Sequence, residues 1–465
     1  MARGGGGWWP TRPPNRSGPP VHRSRPREPQ GPHSRALCYF ALPGRGHRSG
    51  LVSAVVSMAD PMRIWIVNHH ADPPDGLATR SFDIARRFVE KGNPTTIFVC
   101  AFSHYHLRPV RKLGFRLWRS EDIEGVRMVW IAAPSYRGND WRRVLNMVTF
   151  SVLALLSGAL RRERPDIVVG VSVHPLAALS GWLLSRLKGA RFFFEVTDLW
   201  PQTLIDFGRL RADGRAARAM RSLERFLFRH AERIVMLWRH TDEYVASQGV
   251  SPAKILWVPH GVELKRYDDL VPYRGAPARP FKVMYVGAFL ASNSVGTILD
   301  AAGVLARRGR DDVRFILVGA GVEREGLIER ARTEGLANVE FREPVPKREV
   351  ARVLGEADAF IYVLRDLPLY RFGISLNKLT DYLAAGRPII LFGRSSYDPV
   401  RDAQAGISVP PGDPEALADA IFELVALTPE ERIEMGERGR RYLLEHHNIP
   451  VLSDRLLNVF EKTEA

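Results

Sequence analysis

The clearest sign of chemistry in this sequence is the segment Gly373–Pro388, GISLNKLTDYLAAGRP, which begins a predicted helix. Free backbone amides at the N-terminus of a helix favour a bound anion. Lys378 lies in the first turn, where the helix dipole favours acidic residues, and a bound phosphate would explain a cation there. Asp381 follows Asn377 by one turn on the same face, so its carboxylate can accept hydrogen bonds from ribose hydroxyls. Together with Ser375, these residues predict a site for a nucleotide diphosphate.

A second candidate segment is the loop Asn68–Arg80, NHHADPPDGLATR, between the first predicted strand and its helix. Its Pro and Gly residues predict a turn, and Thr79 can cap the helix that follows. A loop at the carboxyl end of a parallel strand opens onto the ligand crevice. Gly76 would let the backbone approach a substrate, and Arg80 would present a planar, positively charged guanidinium group. We therefore expect Gly76, Thr79 and Arg80 to contact a substrate; the alternative is an ordinary connecting turn.

Two further residues are candidates for catalysis because they follow predicted strands at the same edge of the sheet. His174 comes directly after the strand 166–173 and suits a general base or a group that orients a hydroxyl. Asp198 lies in the loop after the strand 191–196, and it is a better candidate than Glu195 because only one of the two can face the crevice. A structural cap for the next helix is the alternative role of Asp198.

Three glycines and one arginine complete the predicted site for a nucleotide diphosphate. Gly319 and Gly321 follow a strand, although Arg324 replaces the third glycine of the dinucleotide-binding fingerprint, which leaves a weak motif. Gly287 follows the preceding strand, and Arg371 lies just before the phosphate-binding helix. We predict that these residues contact the same ligand.

Buried strands alternate with helices from Met62 onwards, and these elements must position the candidate residues. Each strand is short and nearly continuously apolar, as parallel strands covered on both faces are. The pattern predicts an α/β fold with two doubly wound Rossmann-like domains facing a cleft. The predicted organisation is a disordered tail over 1–58, an N-terminal domain over 59–270, a linker over 271–280, a C-terminal domain over 281–440 and a helix over 441–465 that packs back on the N-terminal domain.

Charge and composition exclude several classes of protein. The chain has 465 residues and a net charge of +16, and residues 1–57 contribute half of that charge through nine Arg and one acid. Because this stretch is rich in Gly, Pro and Arg, it is predicted to be disordered, and nucleic-acid binding is not expected. Two cysteines exclude a disulfide framework and a Cys-rich zinc site. No signal peptide is recognisable near the start.

Two segments predict contact with a membrane surface. Val144–Leu160 holds 17 uncharged residues between two arginine pairs. That length is at the short limit for a spanning helix, so a buried or interfacial helix is predicted. Arg215–His230 is a basic amphipathic helix that suits anionic lipid or, alternatively, a solvated surface. We expect a cytoplasmic protein that binds peripherally to the inner face of the plasma membrane.

Taken together, the motifs resemble the retaining GT-B glycosyltransferases of family 4, in particular the branch that transfers N-acetylated sugars in surface-polysaccharide assembly. The matching pieces are P-P-x-G-x-x-T-R (Pro73 to Arg80), D-L-W-P (Asp198 to Pro201), P-x-G-V (Pro259 to Val262) and G-I-S-x-N-K-L-x-D-Y-x-A-A-G-x-P (Gly373 to Pro388). They lie in the expected order, so the resemblance covers nearly the whole chain beyond the tail.

The resemblance implies that the two domains bind different substrates. The N-terminal domain would bind a glycan or a polyprenyl-diphosphate-linked acceptor through Gly76, Thr79 and Arg80. The C-terminal domain would bind a nucleotide-diphosphate sugar donor, with contacts from residues that include Gly287, Gly319, Gly321 and Arg371. His174 matches the family's histidine near the sugar 6-hydroxyl, and Asp381 matches the second acidic position of the family's E-x7-E motif. Lys378 would stabilise the leaving diphosphate during catalysis, without a metal ion or another cofactor.

Three departures from the family pattern keep two alternatives open. Gly373 stands where the first Glu of the motif is expected, and residues 287–296 lack the usual Arg/Lys pair. Thr197 stands where an Arg often precedes the aspartate. The alternatives are a nucleotide-sugar 2-epimerase of the same architecture, against which the motif at Pro73–Arg80 argues, and a catalytically silent GT-B binding subunit.

Overall fold

The computed structural model describes residues 60–138, 140–275, 280–375 and 377–462. These residues belong to one compact unit, Ala59–Ala465. The predicted tail over residues 1–58 lies outside the described residues, as do residues 276–279 of the predicted linker.

A sheet of eight strands forms the centre of the N-terminal domain in the described part of the chain. The first ten strands are β1 (Ile64–Val67), β2 (Thr95–Cys100), β3 (Phe102–Ser103), β4 (Arg108–Pro109), β5 (Trp118–Ile123), β6 (Val126–Ile131), β7 (Ile167–Val171), β8 (Arg191–Val196), β9 (Arg233–Met236) and β10 (Ile255–Trp257). Their order in the sheet is β10-β9-β8-β7-β1-β2-β6-β5, while β3 and β4 pair separately. Every pairing in the large sheet is parallel except that of β5 with β6.

Helices cover both faces of this sheet, which explains why β1, β2 and β7 are buried along their whole length. The helices of the domain are α1 (Arg80–Glu90), α2 (Trp141–Ala159), α3 (Pro175–Lys188), α4 (Gln202–Asp206), α5 (Arg215–His230) and α6 (Asp242–Ser247). A short 3-10 helix, Leu264–Tyr267, lies between β10 and the second domain.

The C-terminal domain is built around a sheet of six parallel strands. Its strands are β11 (Phe281–Val286), β12 (Val313–Val318), β13 (Val339–Arg342), β14 (Ala359–Val363), β15 (Ile389–Phe392) and β16 (Gly406–Val409), and its helices are α7 (Gly296–Arg307), α8 (Arg324–Thr333), α9 (Val350–Leu354), α10 (Asn377–Ala385), α11 (Pro399–Asp402) and α12 (Pro414–Ala426). The strand order is β13-β12-β11-β14-β15-β16.

Both sheets reverse their strand order at the first strand of the domain. In the N-terminal sheet β1 lies between β2 and β7, and in the C-terminal sheet β11 lies between β12 and β14. Ligands of doubly wound sheets bind beside the carboxyl ends of the strands at this reversal. The predicted fold of two doubly wound α/β domains is therefore confirmed, and it directs attention to the loops after these strands.

The chain returns to the N-terminal domain through its last two helices, α13 (Pro429–His446) and α14 (Ile449–Glu461). The ring of Phe460 packs edge-on against Phe88 of α1 at 5.7 Å and Phe193 of β8 at 4.6 Å. The buried side chains of α14 thus belong to the core of the N-terminal domain.

One hydrophobic cluster continues across the domain boundary. It contains Phe194 and Leu237 from the N-terminal sheet as well as Phe360 and Leu391 from the C-terminal sheet. A large apolar contact between domains limits their relative motion. The two domains therefore hold the cleft in a defined arrangement.

Helix α2 is buried on one side only. Phe150 and Ala154 are buried against the sheet. The opposite side exposes a stripe of apolar residues at helical spacing: Trp141, Val144, Leu145, Val148, Val152 and Leu156. Among the described residues, no helix is long and apolar enough to cross a membrane.

Helix α5 differs from α2, although both were predicted to contact lipid. Its apolar residues Leu227 and Phe228 are buried in the domain core. Its outward side carries arginines, including the exposed Arg218 and Arg225. Packing of the apolar face inward accounts for the amphipathic pattern of α5.

Candidate functional site

Loops at the carboxyl ends of the two sheets contact each other across the domain boundary. The backbone amide of His240, after β9, donates a hydrogen bond to the Phe372 carbonyl at 3.0 Å. The amide of His260, after β10, donates to the Ser375 hydroxyl at 3.2 Å. Phe372 and Ser375 both precede α10. The segment predicted to bind phosphate is therefore anchored to the N-terminal domain.

Lys378 lies in the first turn of α10, as the sequence predicts. Its ammonium group donates a hydrogen bond to the Tyr285 hydroxyl at 3.0 Å. The same group lies 4.8 Å and 5.5 Å from the ring centres of Tyr285 and Tyr362. Burial lowers the pKa of Lys378 to about 8. These partners are neutral, so the buried cation is well placed to gain energy from an anionic ligand.

The three predicted donor-site glycines serve the packing of this region. A Cβ at Gly287 would lie 2.6 Å from Cδ of Lys378, so glycine leaves room for that side chain. Gly319 and Gly321 have φ angles of +152° and +156°. A Cβ at Gly319 would lie 1.9 Å from the Gly287 carbonyl oxygen, so the loops after β11 and β12 touch backbone to backbone. Direct contact of these glycines with a donor stays a prediction.

Asp381 lies one turn after Lys378. Its carboxylate accepts a hydrogen bond from a residue of the short 3-10 helix between the two domains. The Tyr267 hydroxyl donates a hydrogen bond to Oδ1 of Asp381 at 2.5 Å. Burial raises the pKa of Asp381, while the hydrogen bond from Tyr267 opposes this shift. A ribose bound here would therefore share the carboxylate with Tyr267.

Arg371 and Asn377, both predicted to contact the donor, are exposed. The guanidinium of Arg371 lies 3.6 Å from the Asp206 carboxylate of the N-terminal domain. It also donates a hydrogen bond to the Pro368 carbonyl at 2.8 Å. Arg371 thus links the two domains in this structure, and Asn377 begins α10.

The replacement of the family glutamate by Gly373 has a structural reason. Gly373 has a φ angle of +101°, which favours glycine. A Cβ at this position would lie 3.0 Å from Cβ of Tyr397 and 3.4 Å from the backbone nitrogen of Arg239. A glutamate here would have a strained backbone conformation and would crowd these neighbours, which come from the two domains.

Asp72 shapes the predicted acceptor loop, although the sequence pattern did not single it out. Its Oδ2 accepts hydrogen bonds from the amides of Leu77 and Ala78, each at 2.9 Å. Gly76 packs against it, because a Cβ at Gly76 would lie 2.1 Å from Cβ of Asp72. An aspartate directly before two prolines and a glycine is the signal that could have identified this turn.

Thr79 does not cap α1, contrary to the prediction. Its hydroxyl donates to the Asp83 carboxylate at 2.7 Å and accepts hydrogen bonds from Arg266 at 3.1 Å and Lys347 at 2.8 Å. Lys347 belongs to the C-terminal domain, and burial followed by the charge of Arg266 lowers its pKa to about 8. No motif had indicated Lys347.

The structure also differs from the prediction for Arg80. Its guanidinium group is buried and hydrogen-bonded within the protein, so it is not presented to an acceptor. It forms an ion pair with Glu195 at 3.3 Å and donates hydrogen bonds to the carbonyls of Pro259 and Val258. Arg80 therefore ties α1 to β8 and to the loop after β10. It also explains why Glu195 does not serve the cleft.

Replacement of Arg80 by lysine tests this structural role. Lysine keeps the charge but cannot present the same planar fork, so about two hydrogen bonds are lost at roughly 1 kcal/mol each. We expect the midpoint of urea unfolding to fall, with the affinity for acceptor unchanged in the folded protein. A variant with native stability and a raised acceptor KM would contradict the assignment.

His174 is the N-cap of α3 and forms a pair with His69. Its Nδ1 accepts a hydrogen bond from the Ala177 amide at 3.2 Å, and its Nε2 lies 2.6 Å from Nδ1 of His69. Because the amide fixes Nδ1 of His174 as an acceptor, the proton resides on Nε2, which donates to His69. Burial and the charge of Arg143 lower the pKa of His174 to about 3. Both ring nitrogens of His174 are therefore engaged within the protein, and its direct contact with a sugar hydroxyl stays a prediction.

Asp198 is half-buried in the loop after β8. This loop is held to β7 by the Trp200 indole, which donates to the Ser172 carbonyl at 2.8 Å. Burial raises the pKa of the Asp198 carboxyl to about 6. The helix that follows has Pro201 at its N-cap and no side-chain cap, so the alternative role as a helix cap is not observed. A carboxylate with a pKa near neutrality is suited to accept a proton.

Comparison with known proteins identifies the class of enzyme. The family model of the glycosyl transferase 4-like domain matches residues 75–261, and that of glycosyl transferases group 1 matches residues 280–426. The two matches correspond to the two Rossmann-like domains. They give no support to the epimerase alternative.

One curated relative matches over most of the chain and another over less than half of it. The Escherichia coli protein WcaI, named as a colanic acid biosynthesis glycosyl transferase, is 24% identical over 346 residues, which cover 70% of this chain and 83% of that protein. The phosphatidyl-myo-inositol mannosyltransferase of Mycobacterium leprae is 29% identical over 211 residues, which cover 44% of this chain and 52% of that protein.

Solved structures share the fold. Sucrose-phosphate synthase from Thermosynechococcus elongatus superposes with a TM-score of 0.65 at 17% identity, covering 86% of this chain and 98% of that one. Anabaena HepE, solved with UDP and glucose, gives a TM-score of 0.62 at 12% identity, covering 86% of this chain and 100% of that one. With both domains matched by glycosyltransferase families and the fold shared with these structures, the chain is a glycosyltransferase with the GT-B fold.

Proposed function

We propose that the protein is a retaining glycosyltransferase of family 4 that takes a sugar, an N-acetylated hexosamine, from a nucleotide-diphosphate donor. The acceptor is a glycan or a polyprenyl-diphosphate-linked sugar in the synthesis of cell-surface polysaccharide. The observation that carries this proposal is Lys378, a partly buried lysine whose ammonium group has neutral partners at the start of α10. A diphosphate leaving group supplies the negative charge that this position lacks.

The proposed reaction assigns a task to each side of the cleft. Lys378 and the backbone amides of the first turn of α10 stabilise the charge that develops on the leaving diphosphate, which needs no metal ion. Asp381 binds the ribose. Asp198 accepts the proton of the attacking acceptor hydroxyl, and His174 holds the neighbouring ring of His69 in place through its hydrogen bond.

Donor binding and donor hydrolysis test the proposal together. A thermal-shift screen of UDP-, GDP- and dTDP-sugars should give one series that raises the melting temperature, since a ligand at 100 times its Kd stabilises by about 2.7 kcal/mol. The stabilising donor should also be hydrolysed slowly without acceptor. Binding without any hydrolysis or transfer would instead support the silent binding subunit.

We also propose that the enzyme works at the surface of the inner membrane, with the exposed side of α2 as its contact. The exposed apolar stripe on α2 lies between arginine pairs at both ends of the helix, Arg142 and Arg143 before it and Arg161 and Arg162 after it. Such a helix lies in the interface between lipid headgroups and acyl chains. Helix α5 contributes only its basic outer surface.

Binding to vesicles should therefore depend on both charge and apolar contact. We expect the protein to sediment with phosphatidylglycerol vesicles at low salt and to be released at 0.5 M NaCl, because salt screens exposed charges within about 10 Å at 0.1 M. Val148→Asp should weaken vesicle binding, while Leu444→Asp, on the exposed side of α13, should not. Equal loss in both variants would argue against α2 as the contact.

A further inference from the structure

The two carboxylate oxygens of Asp381 have different surroundings. Oδ1 accepts the hydrogen bond from the Tyr267 hydroxyl at 2.5 Å. None of the described residues donates a hydrogen bond to Oδ2. The residue is half-buried, and Oδ2 is not closed off from solvent. One oxygen is thus held by the protein, and the other is open to a ligand that enters the cleft.

Tyr267 is held in place within the segment that joins the domains. Its side chain is 6% exposed and belongs to the hydrophobic cluster that crosses the domain boundary. The residue before it, Arg266, donates a hydrogen bond to the Asp83 carboxylate at 2.6 Å. Glu263, just before the same 3-10 helix, forms an ion pair with Arg86 at 2.8 Å. Both anchors lie on α1, so the N-terminal domain sets the position of the Tyr267 hydroxyl.

A hydrogen bond to one carboxylate oxygen also fixes the direction of the other. The last side-chain torsion of an aspartate has a broad energy minimum, so a free carboxylate turns easily. A ligand hydroxyl that meets an oriented acceptor loses less conformational freedom in the complex. Burial opposes ionisation of Asp381, while the hydrogen bond from Tyr267 and the charges of Lys347 and Arg266 favour it. The ionised form accepts the stronger hydrogen bond.

We propose that Tyr267 is a positioning residue for donor binding, which orients the Asp381 carboxylate so that Oδ2 accepts a ribose hydroxyl of the nucleotide. This inference rests on the proposed function, which assigns the ribose to Asp381. Tyr267 acts through Asp381 and does not itself bind the donor. Since α1 anchors the segment that carries Tyr267, the N-terminal domain takes part in donor binding as well as in acceptor binding.

The test measures nucleotide affinity and turnover separately. UDP, GDP and dTDP are titrated in turn into the wild-type protein by calorimetry, and the nucleotide with the lowest Kd is the probe. Tyr267→Phe removes only the hydroxyl, and we expect it to raise the Kd of the probe about three- to tenfold, as loss of one hydrogen bond does. Turnover at saturating donor should change less than about twofold, because the ribose contact is equally present before and during the reaction.

A double-mutant cycle shows whether the hydroxyl acts through Asp381. In an Asp381→Ala background the carboxylate is absent, so Tyr267→Phe should change the Kd of the probe less than about twofold. In that background the same substitution should raise the melting temperature, since it removes a buried hydroxyl that has lost its acceptor. An equal rise in Kd in both backgrounds would show a general effect on the fold and would overturn the proposal.

Tyr273→Phe is the matched control. It removes a hydroxyl from another tyrosine between the domains, whose ring lies 5.4 Å from the guanidinium of Arg387, and the Kd should stay within about twofold. A normal Kd for Tyr267→Phe, combined with a raised Kd for Asp381→Ala, would overturn this inference and leave the proposed function intact. A normal Kd for Asp381→Ala, or no binding of any of the three nucleotides, would contradict the proposed donor site itself and this inference with it.

Discussion

Lys378→Ala is expected to lower kcat by about 10²–10³, with a much smaller change in the Kd of the donor. The ammonium group lies at the start of α10, and charge on the diphosphate grows as the bond between sugar and phosphate breaks. An interaction that strengthens in the transition state lowers the barrier more than it improves ground-state binding. Steady-state kinetics together with direct donor titration measure the two effects separately.

Two further variants serve as comparisons for Lys378→Ala. Asp381→Asn removes a ribose contact that is equally present before and during the reaction, so donor affinity should fall more than kcat. Lys265→Ala makes the same chemical change at an exposed lysine and should leave both constants within about twofold. If Lys378→Ala keeps wild-type kcat, the donor site does not lie at α10.

The pH dependence gives an independent test of the same residue. Since burial lowers the pKa of Lys378 to about 8, its charge is present below that pH and is lost above it. The value of kcat/KM should therefore fall as the pH rises past 8 in the free enzyme. Lys378→Arg keeps its charge at all these pH values. The fall in kcat/KM should therefore shift to higher pH in this variant, even where the absolute rate is lower.

Asp198→Asn is the second change expected to have a large effect, lowering kcat by about 10²–10⁴, the range for loss of a positioned proton acceptor. Burial raises the pKa of this carboxyl to about 6, so the ionised form dominates above that pH. Activity of the native enzyme should rise as the pH increases through 6. The asparagine variant should retain donor binding, but its activity should no longer rise as the pH increases through 6.

The control for this variant is Asp213→Asn, since Asp213 is exposed in the loop before α5. It should retain the full pH profile. A variant Asp198→Asn with normal turnover, or with the same rise in activity through pH 6, would remove Asp198 from the mechanism and leave proton acceptance to the leaving group itself.

The fold was predictable from the sequence because parallel strands buried on both faces have a continuous apolar pattern. The strand at β7 is an example: every residue of Ile167–Val171 is buried, and the pattern indicated it directly. The antiparallel edge strand β5 was not predicted, because Trp118–Ile123 is mostly polar and largely exposed. Strand β10 is three residues long, too short for a periodic signal.

The candidate site was predictable only where a residue type conflicts with its local surroundings. Lys378 stood out because a cation opposes the helix dipole. Arg80 and Thr79 were assigned to the acceptor because their loop position was visible, whereas their partners, Glu195 and Lys347, lie more than a hundred residues away in the chain. The pairing of His174 with His69 likewise depends on three-dimensional contacts that no local pattern encodes.

The return of α14 to the first domain also has a consequence for the order of folding during synthesis. Domains usually fold in the order in which they emerge from the ribosome. Here Leu452, Leu456 and Phe460 fill the core beside Phe88, although the ribosome makes them last. The first domain to be synthesised therefore completes its core only after the second domain has been translated.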